Sequence, residues 1–425
     1  MIYKAFKIRI YPNKEQETQI NKTLGCCRAV YNMMLYERKV VYEKLRENKR
    51  ELYEYKYKTE KEYKEEFEWM KEADSVALQQ TRLNLSSAYS NFFRSIKGKD
   101  RKYNFPRFKR KKNGSSYRTV LNGNNIEIDW DASKIKLPKL GWITYRDRRS
   151  NIPGIVKSAT VRRTPSGKYF VSVLFEQELD LKPIEITDEL KTKTIGLDMS
   201  LEKFFVDNNG NSPVYERLYR KYEPKLKKVQ RRTRNKKQGS KNWYKVIRKA
   251  AIIYEKIRNK RTDFTQKLSH RIVRDYDVIV VEQLSLRGMS QALRLGKSVM
   301  DLGYSDFIRQ LQYKSLWNNK ILIQADRWFA SSKTCSVCGF VNKKLQLSDR
   351  IWDCPNCGEI LDRDRNAGVN LRNFGLEKIG LGESEFKSVE FKTYGGGNNF
   401  PSLSLNCETE KSVCENRNSL LMNSP

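Results

Sequence analysis

Charged and apolar residues alternate through FKIRIY, residues 6–11, and this period of two predicts a half-buried strand. Pro12-Asn13 ends it. From Lys14 the period changes. Ile20, Leu24, Cys27, Tyr31 and Leu35 recur at three- and four-residue steps, the stripe of an amphipathic helix. Residues 37–74 are dense in Lys, Glu and Tyr and predict a long exposed helix or a helix pair. Asp74-Ser75 offers a helix start, after which Leu78, Leu85, Ala88 and Phe92 share one face. Residues 14–96 therefore read as a helical domain. The basic stretch KGKDRKYNFPRFKRKKNG (97–114) is a connector. Beyond it the period returns to two in IEIDW, KIKLP, GWITYR, SATVRRT and KYFVSVLFEQ, with Pro165-Ser166-Gly167 as a hairpin turn. These short strands predict a small β module, a barrel that the first strand can join. Residues 1–13 and 97–185 then form one domain, interrupted by the helices.

A second pattern begins at TIGLDMS (194–200). LEKFFVDNNGNSPV reads as a hairpin turned at Asn208-Asn209-Gly210. Residues 216–261 hold 19 Lys and Arg against three Glu, and their helical period predicts a basic arm. YDVIVVEQLSL (276–286) is a buried strand by its apolar run, SDFIRQLQYKSLWNN a helix, and KILIQAD another strand. Alternating strands and helices predict an α/β domain over residues 190–375. The tail 376–425 is rich in Gly, Asn, Ser and Glu and predicts disorder.

Charge narrows the function. The 425 residues include 84 Lys and Arg against 50 Asp and Glu, a formal net charge of +34. Such a surplus is the footprint of a nucleic-acid binder, because each neutralised phosphate releases counterions. No apolar run approaches the roughly 20 residues a membrane span needs. The amphiphilic first residues do not resemble a signal peptide. A cytoplasmic, nucleoid-associated protein with no membrane partner is the expectation. His270 is the only histidine, which excludes chemistry that needs two.

Cys335-x-x-Cys338 and Cys354-x-x-Cys357 stand 15 residues apart, each pair followed by a glycine, Gly339 or Gly358. Four thiolates at this spacing predict one tetrahedral Zn²⁺ in a closed, structural site over residues 331–361. Lys333, Lys343, Lys344 and Arg350 within it could also touch nucleic acid. Catalysis must then fall to carboxylates. Asp198 ends the strand TIGL, Glu282 ends VIVV, and Asp364 opens a helix. Charges at the ends of apolar strands need a partner or a metal. Converging, the three acids can hold two Mg²⁺ ions that clamp a phosphodiester. Each also has a structural alternative: Asp198 in a turn, Glu282 paired with an arginine of the basic arm, Asp364 as a helix cap. Asp207 reads as a turn residue.

The order GLDMS, VVEQLS, a four-cysteine ribbon and LDRDRNAGVNL resembles the TnpB proteins of insertion sequences, RNA-guided DNA nucleases related to miniature type V CRISPR effectors. FKIRIYPNKEQ, CCRAVYN, LQQTRLNL and YNFPRFKRKK extend the resemblance over nearly the whole chain. It implies an α+β multidomain fold: a RuvC-like, RNase H-type nuclease domain with an inserted zinc ribbon, plus a wedge-like β-barrel interrupted by a helical recognition domain. It implies Asp198, Glu282 and Asp364 as the catalytic triad, with Asp362 a neighbour. Guide RNA and target DNA, double- and single-stranded, are the implied partners; the sequence leaves the oligomeric state open, with a monomer favoured. Contacts to the motif beside the target are expected at Gln79, Gln80, Tyr117, Arg118, Asn122 and Asn124. Contacts from the basic arm are expected at Lys227, Lys228, Arg231 and Arg232. Gly368 stands where the family usually has Ala, a change expected to be harmless. A transposase joining strands with the same acids, or a non-catalytic RNA-guided regulator, are the rival readings.

Overall fold

The computed structural model describes residues 1–98, 103–111, 115–147, 149, 151–178, 184–283, 296–326, 328–346 and 348–381. Residues 376–381, expected to begin the disordered tail, instead end the last helix with Leu376 and Ile379 buried; the rest of that tail, with Cys407 and Cys414, lies outside the described residues. The chain divides into two compact units, with described residues 1–178 in one and 184–381 in the other.

In the first unit, strand β1 (Ile2–Tyr11) leads into helix α1 (Lys14–Leu45). Asn13 and Gln16 form a reciprocal capping box, and the Gln16 amide also donates to the carbonyls of Leu140 and Trp142. The Lys/Glu/Tyr-rich stretch does not continue as one helix. It breaks into α2 (Lys49–Glu54), α3 (Glu60–Glu66) and a 3-10 turn (Glu68–Glu72), because Asn48 and Thr59 cap fresh helix starts and Tyr63 and Met70 turn inward to be buried. Asp74 caps α4 (Ser75–Lys97).

Six further strands follow: β2 (Ser115–Val120), β3 (Glu127–Asp129), β4 (Lys134–Leu137), β5 (Gly141–Arg146), β6 (Ile155–Arg163) and β7 (Tyr169–Gln177). With β1 they form one sheet in the order β2-β6-β7-β1-β5-β4-β3. Residues 115–120 are a strand with Tyr117 and Thr119 turned inward. The sheet is not a hydrogen-bonded closed barrel, since β2 and β3 do not pair among the described residues. Helices α1 and α4 pack on edge strand β2, covering it without a partner strand. Side chains from the helices (Ile20, Leu24, Leu35, Leu78, Leu85) and from the strands (Ile8, Ile135, Val161, Val171) share one contiguous core.

The second unit opens with a short helical turn, α5 (Glu189–Thr192), then β8 (Thr194–Ser200) and β9 (Phe204–Asp207). The basic arm is a pair of helices, α6 (Leu218–Arg234) and α7 (Lys241–Asp275). Strand β10 (Val278–Glu282), helices α8 (Gly296–Leu302) and α9 (Tyr304–Trp317) and strand β11 (Ile321–Ala325) follow. The sheet order is β11-β10-β8-β9, with β8, β10 and β11 parallel and β9 antiparallel. A two-stranded ribbon, β12 (Ile351–Asp353) and β13 (Ile360–Asp362), runs into helix α10 (Arg363–Lys378). Parallel strands with both faces covered are apolar throughout, as the runs in β8 and β10 are. Ile195, Leu197, Ile279 and Val281 face α7 and α9, whereas Val278 and Val280 pack with Leu371 and Leu376 of α10.

Candidate active site

Strand parity places the first two acids. Side chains alternate across a sheet. In β8 the odd positions 195, 197 and 199 enter the α7/α9 core, so Asp198 faces the other way with Gly196. In β10 Val278 and Val280 face α10, and Glu282 shares their side. Val281 is registered with Leu197 in the parallel pair, which sets Glu282 and Asp198 on neighbouring strands at the same level. Asp198 does not end its strand, which continues to Ser200.

Glycine contacts fix where the third acid starts. A Cβ on Gly196 would lie 2.2 Å from the Gly368 carbonyl oxygen, and one on Gly368 would lie 2.8 Å from the Asn208 backbone nitrogen. Helix α10 thus rests its backbone on β8, and Gly375 does the same over Val280. In this chain a Cβ at 368 would meet backbone, so the glycine lets α10 sit this close to β8. One turn earlier, Asp364 comes close enough for its charge to act on Asp198. Asp362, not Asp364, caps the helix by accepting from the Arg365 amide at 2.8 Å. Asp364 is thereby left to other partners: Arg350 at 3.2 Å and Lys203 at 3.9 Å.

Asp198 and Glu282 make no ion pair and no side-chain hydrogen bond among the described residues, and Glu282 is not paired with the basic arm. Burial, then the negative charges of Glu282 and Asp364, push the Asp198 carboxyl up to about 7, against a smaller opposing pull from Arg363 and Arg350. Burial also raises Glu282. Unpaired, half-buried carboxylates facing one another are costly unless a cation joins them. Asp207 is the turn residue expected, accepting from the Asn209 and Asn211 amides at 2.9 and 2.8 Å.

The four cysteine sulfurs lie within 4.8 Å of one another, the one such set of three or more metal-ligating residues among the described residues. The three carboxylates are not gathered so tightly. The two cysteine turns repeat one geometry. Cys335 and Cys354 each accept from the glycine four residues on, at 2.9 and 2.8 Å, and Gly339 and Gly358 have φ of +74° and +75°. Beneath them only Leu345, Trp352 and Leu361 join two cysteines in a core, too little apolar surface to hold a fold unaided. The module is fastened to α10. The Asn366 amide donates to the Thr334 carbonyl at 2.7 Å and accepts from the Ser336 amide at 2.9 Å. Asn370 donates to the carbonyls of Ser331 and Thr334, both at 2.7 Å, and Arg363 donates to Gln346 at 2.6 Å.

The expected nucleic-acid contacts divide. Tyr117 and Gln80 are buried and face the interior of their own unit, so neither offers a surface. Gln79, Asn122, Asn124, Lys228, Arg231 and Arg232 are exposed. Lys227 is exposed and paired with Glu223, while Arg118 is half-buried with one guanidinium nitrogen unpartnered. Sequence reasoning missed Arg350 as a neighbour of the acids, as well as Lys203, Asn366 and Asn370. Arg350 carried no signal beyond being one cation among four in the ribbon. Asn366, in D-R-N, was visible only as a landmark for choosing Asp364.

Fold and site together define a class: mixed α/β chains with acids on a largely parallel sheet and a four-cysteine module set just before the last acid. Family models match three stretches: "Helix-turn-helix domain" over residues 1–48, "Probable transposase" over 172–293, and "Cas12f1-like, TNB domain" over 304–371. A "Putative RNA-guided DNA endonuclease" of Streptomyces pristinaespiralis is 32% identical over 90% of this chain and 92% of its own length. InsQ of Escherichia coli K12, carrying the same description, is 30% identical over 89% and 94%. The protein of a solved "Cas12f1-sgRNA-target DNA complex" shares the fold at a TM-score of 0.51, with 14% identity over 87% of this chain and 98% of that one. The chain belongs to the TnpB family.

Proposed function

We propose that this protein is an RNA-guided DNA endonuclease whose RuvC-like, RNase H-type domain is the second unit, with Asp198, Glu282 and Asp364 as its catalytic acids. The observation that carries the reading is the meeting, on one sheet face, of two unpaired carboxylates with a third delivered by a helix that the cysteine module holds. The relatives' descriptions as RNA-guided DNA endonucleases support it. The three acids would hold the magnesium ions, two in number, and the four cysteines one structural zinc. Magnesium bound there supplies Lewis-acid stabilisation and an activated water for phosphodiester hydrolysis. Asp198 and Glu282 make the site a cation trap, since their burial penalises a bare charge. Arg350 and Lys203 hold positive charge beside Asp364, where a phosphate oxygen would otherwise meet only carboxylates.

In the whole protein, guide RNA pairs with the target strand, and the first unit reads a short motif in the flanking duplex. Gln79, Asn122 and Asn124 are the exposed candidates for that reading. The wedge-like module and its helical insertion, the zinc ribbon at 331–361, the monomeric state and the nucleoid-associated, cytoplasmic location belong to the same proposal.

The test is cleavage of a plasmid carrying the guide's complement by protein copurified with its RNA. Asp198→Ala and Glu282→Ala should each abolish cutting and leave RNA retention unchanged. Full cutting by either variant would remove that acid from the site. Linear product with free ends marks hydrolysis, whereas joined strands would mark a transposase.

A further inference from the structure

The segment Tyr103–Lys111, at the end of the basic connector, lies extended against α1 and α4. Its placement is built. The Asn32 side chain donates to the Lys109 carbonyl at 3.1 Å and accepts from the Lys109 amide at 2.8 Å, pairing with that peptide as a neighbouring strand would. Pro106 is buried, and the Phe105 ring packs edge-on to Tyr89 and Phe92 at 5.5 and 5.2 Å. The Lys109 peptide and the Phe105 and Pro106 side chains are therefore fixed, and the residues between and after them stay exposed.

Those residues are cations and one ring. Arg107, Lys109, Arg110 and Lys111 have exposed surface. Together with Lys39 they make no ion pair with a carboxylate among the described residues. The Lys109 ammonium sits 4.0 Å from the Tyr31 ring centre, and burial draws it below the usual lysine value against a smaller opposing pull from the Cys27 thiol. Lys39 lies 5.1 Å from the Phe108 ring and 5.4 Å from Phe105. Phe108 is 44% exposed and has no aromatic partner among the described residues. Five cations without a carboxylate partner among the described residues, gathered beside a half-exposed ring, form a site for an anion that also brings a planar face. That description fits a nucleic-acid strand with an unstacked base.

We propose that this strip, pinned by Asn32, is a docking site for a single-stranded segment of the guide RNA, with Phe108 stacking on a base and Arg107, Arg110 and Lys111 on the flanking phosphates. The choice of RNA over DNA follows from the ring. A target duplex keeps its bases stacked until it is opened, whereas a guide presents unpaired bases from the start. The inference rests on the RNA-guided reading and deepens it.

The test uses the full-length chain and the RNA that copurifies with it. Ultraviolet crosslinking should place an RNA adduct on the peptide that contains Phe108, and Phe108→Ala should remove it. The triple variant Arg107→Ala/Arg110→Ala/Lys111→Ala changes only exposed side chains. It should weaken binding of that RNA about tenfold or more and flatten the slope of log affinity against log salt by about 2, near 0.7 for each phosphate of a single strand that no longer meets a cation. Asn32→Ala, which keeps every cation, should weaken binding several-fold. An unchanged RNA affinity and slope in the triple variant, with wild type retaining its guide, overturns this inference alone. So does a weakening confined to a duplex DNA carrying the target. A wild-type protein that retains no discrete RNA overturns the guided reading and this one with it.

Discussion

At the scale of single residues the site is set against the fold's own stability. Asp198 has its carboxyl displaced from 3.8 to about 7, chiefly by burial. A raised folded-state value means that the protonated form stabilises the native state: the contribution is full below about pH 4 and is lost as pH rises through 7. In chelator, Asp198→Asn should therefore raise the melting temperature at pH 8 and change it little at pH 4. A gain of about 2 kcal/mol, less than the full displacement implies, corresponds to about 4–8 °C for a unit of this size. Calorimetry at the two pH values checks this, and an equal shift at both would show that charge is not the cause. Gly368 is the second sensitive position. A methyl group there meets backbone at 2.8 Å, so Gly368→Ala should lower unit stability by about 1–3 kcal/mol and reduce cleavage by tilting α10 away from β8. An unchanged melting curve would show that the helix shifts at no cost.

At the scale of elements, the cysteine module and α10 behave as one part. Asn366 and Asn370 both donate to the Thr334 carbonyl, and the first cysteine pair begins at the next residue. Replacing both, Asn366→Ala/Asn370→Ala, removes bonds worth about 1 kcal/mol each and leaves buried carbonyls unmet. The expected result is cleavage reduced tenfold or more with RNA retention intact, and earlier protease cutting within residues 331–361. If the cysteines hold the proposed zinc, treating the wild type with a thiol-directed chelator should produce the same proteolytic opening while β8, β10 and α7 stay protected from hydrogen exchange. Simultaneous loss of protection throughout the second unit would mean that the module also supports the sheet. The positive φ of +72° at buried Phe204 is held by a comparable device. The Tyr304 hydroxyl donates to its carbonyl at 2.8 Å, fixing the turn that carries Lys203 toward Asp364.

At the scale of the whole molecule, a net charge of +34 makes nucleic-acid affinity a function of salt. A footprint that neutralises about ten RNA phosphates predicts a slope near −7 in log affinity against log salt, roughly a hundredfold weakening for each doubling of ionic strength. Filter binding over a salt series measures it, and a slope near zero would separate the charge from the function. Much of this protein was legible along the chain. Hydrophobic period gave the first strand, α1 and the buried strand before Glu282, because those elements are set by local burial patterns; the hairpin expected at Asn208–Gly210 is only a turn, since residues 211–217 form no strand and β9 pairs instead with β8. Cysteine spacing marked the four-cysteine module, because gathering four sulfurs needs only short loops. The breaks between α1 and α4 were hidden, since Tyr63 and Met70 turn inward through contacts with distant residues. The role of β2 was hidden as well: SSYRTV has a weak alternation, and the covering helices decide that Tyr117 faces inward. The sequence by itself determined which acids exist, their parity on each strand and the charge that draws nucleic acid, all properties of composition and local period. Only the tertiary structure decided that Asp364 meets Arg350 and Lys203, that two glycines set the height of α10 on β8, and that two asparagines bind the helix to the cysteine module. Those are contacts between residues as far as 172 positions apart, from Gly196 to Gly368, and no local pattern encodes them.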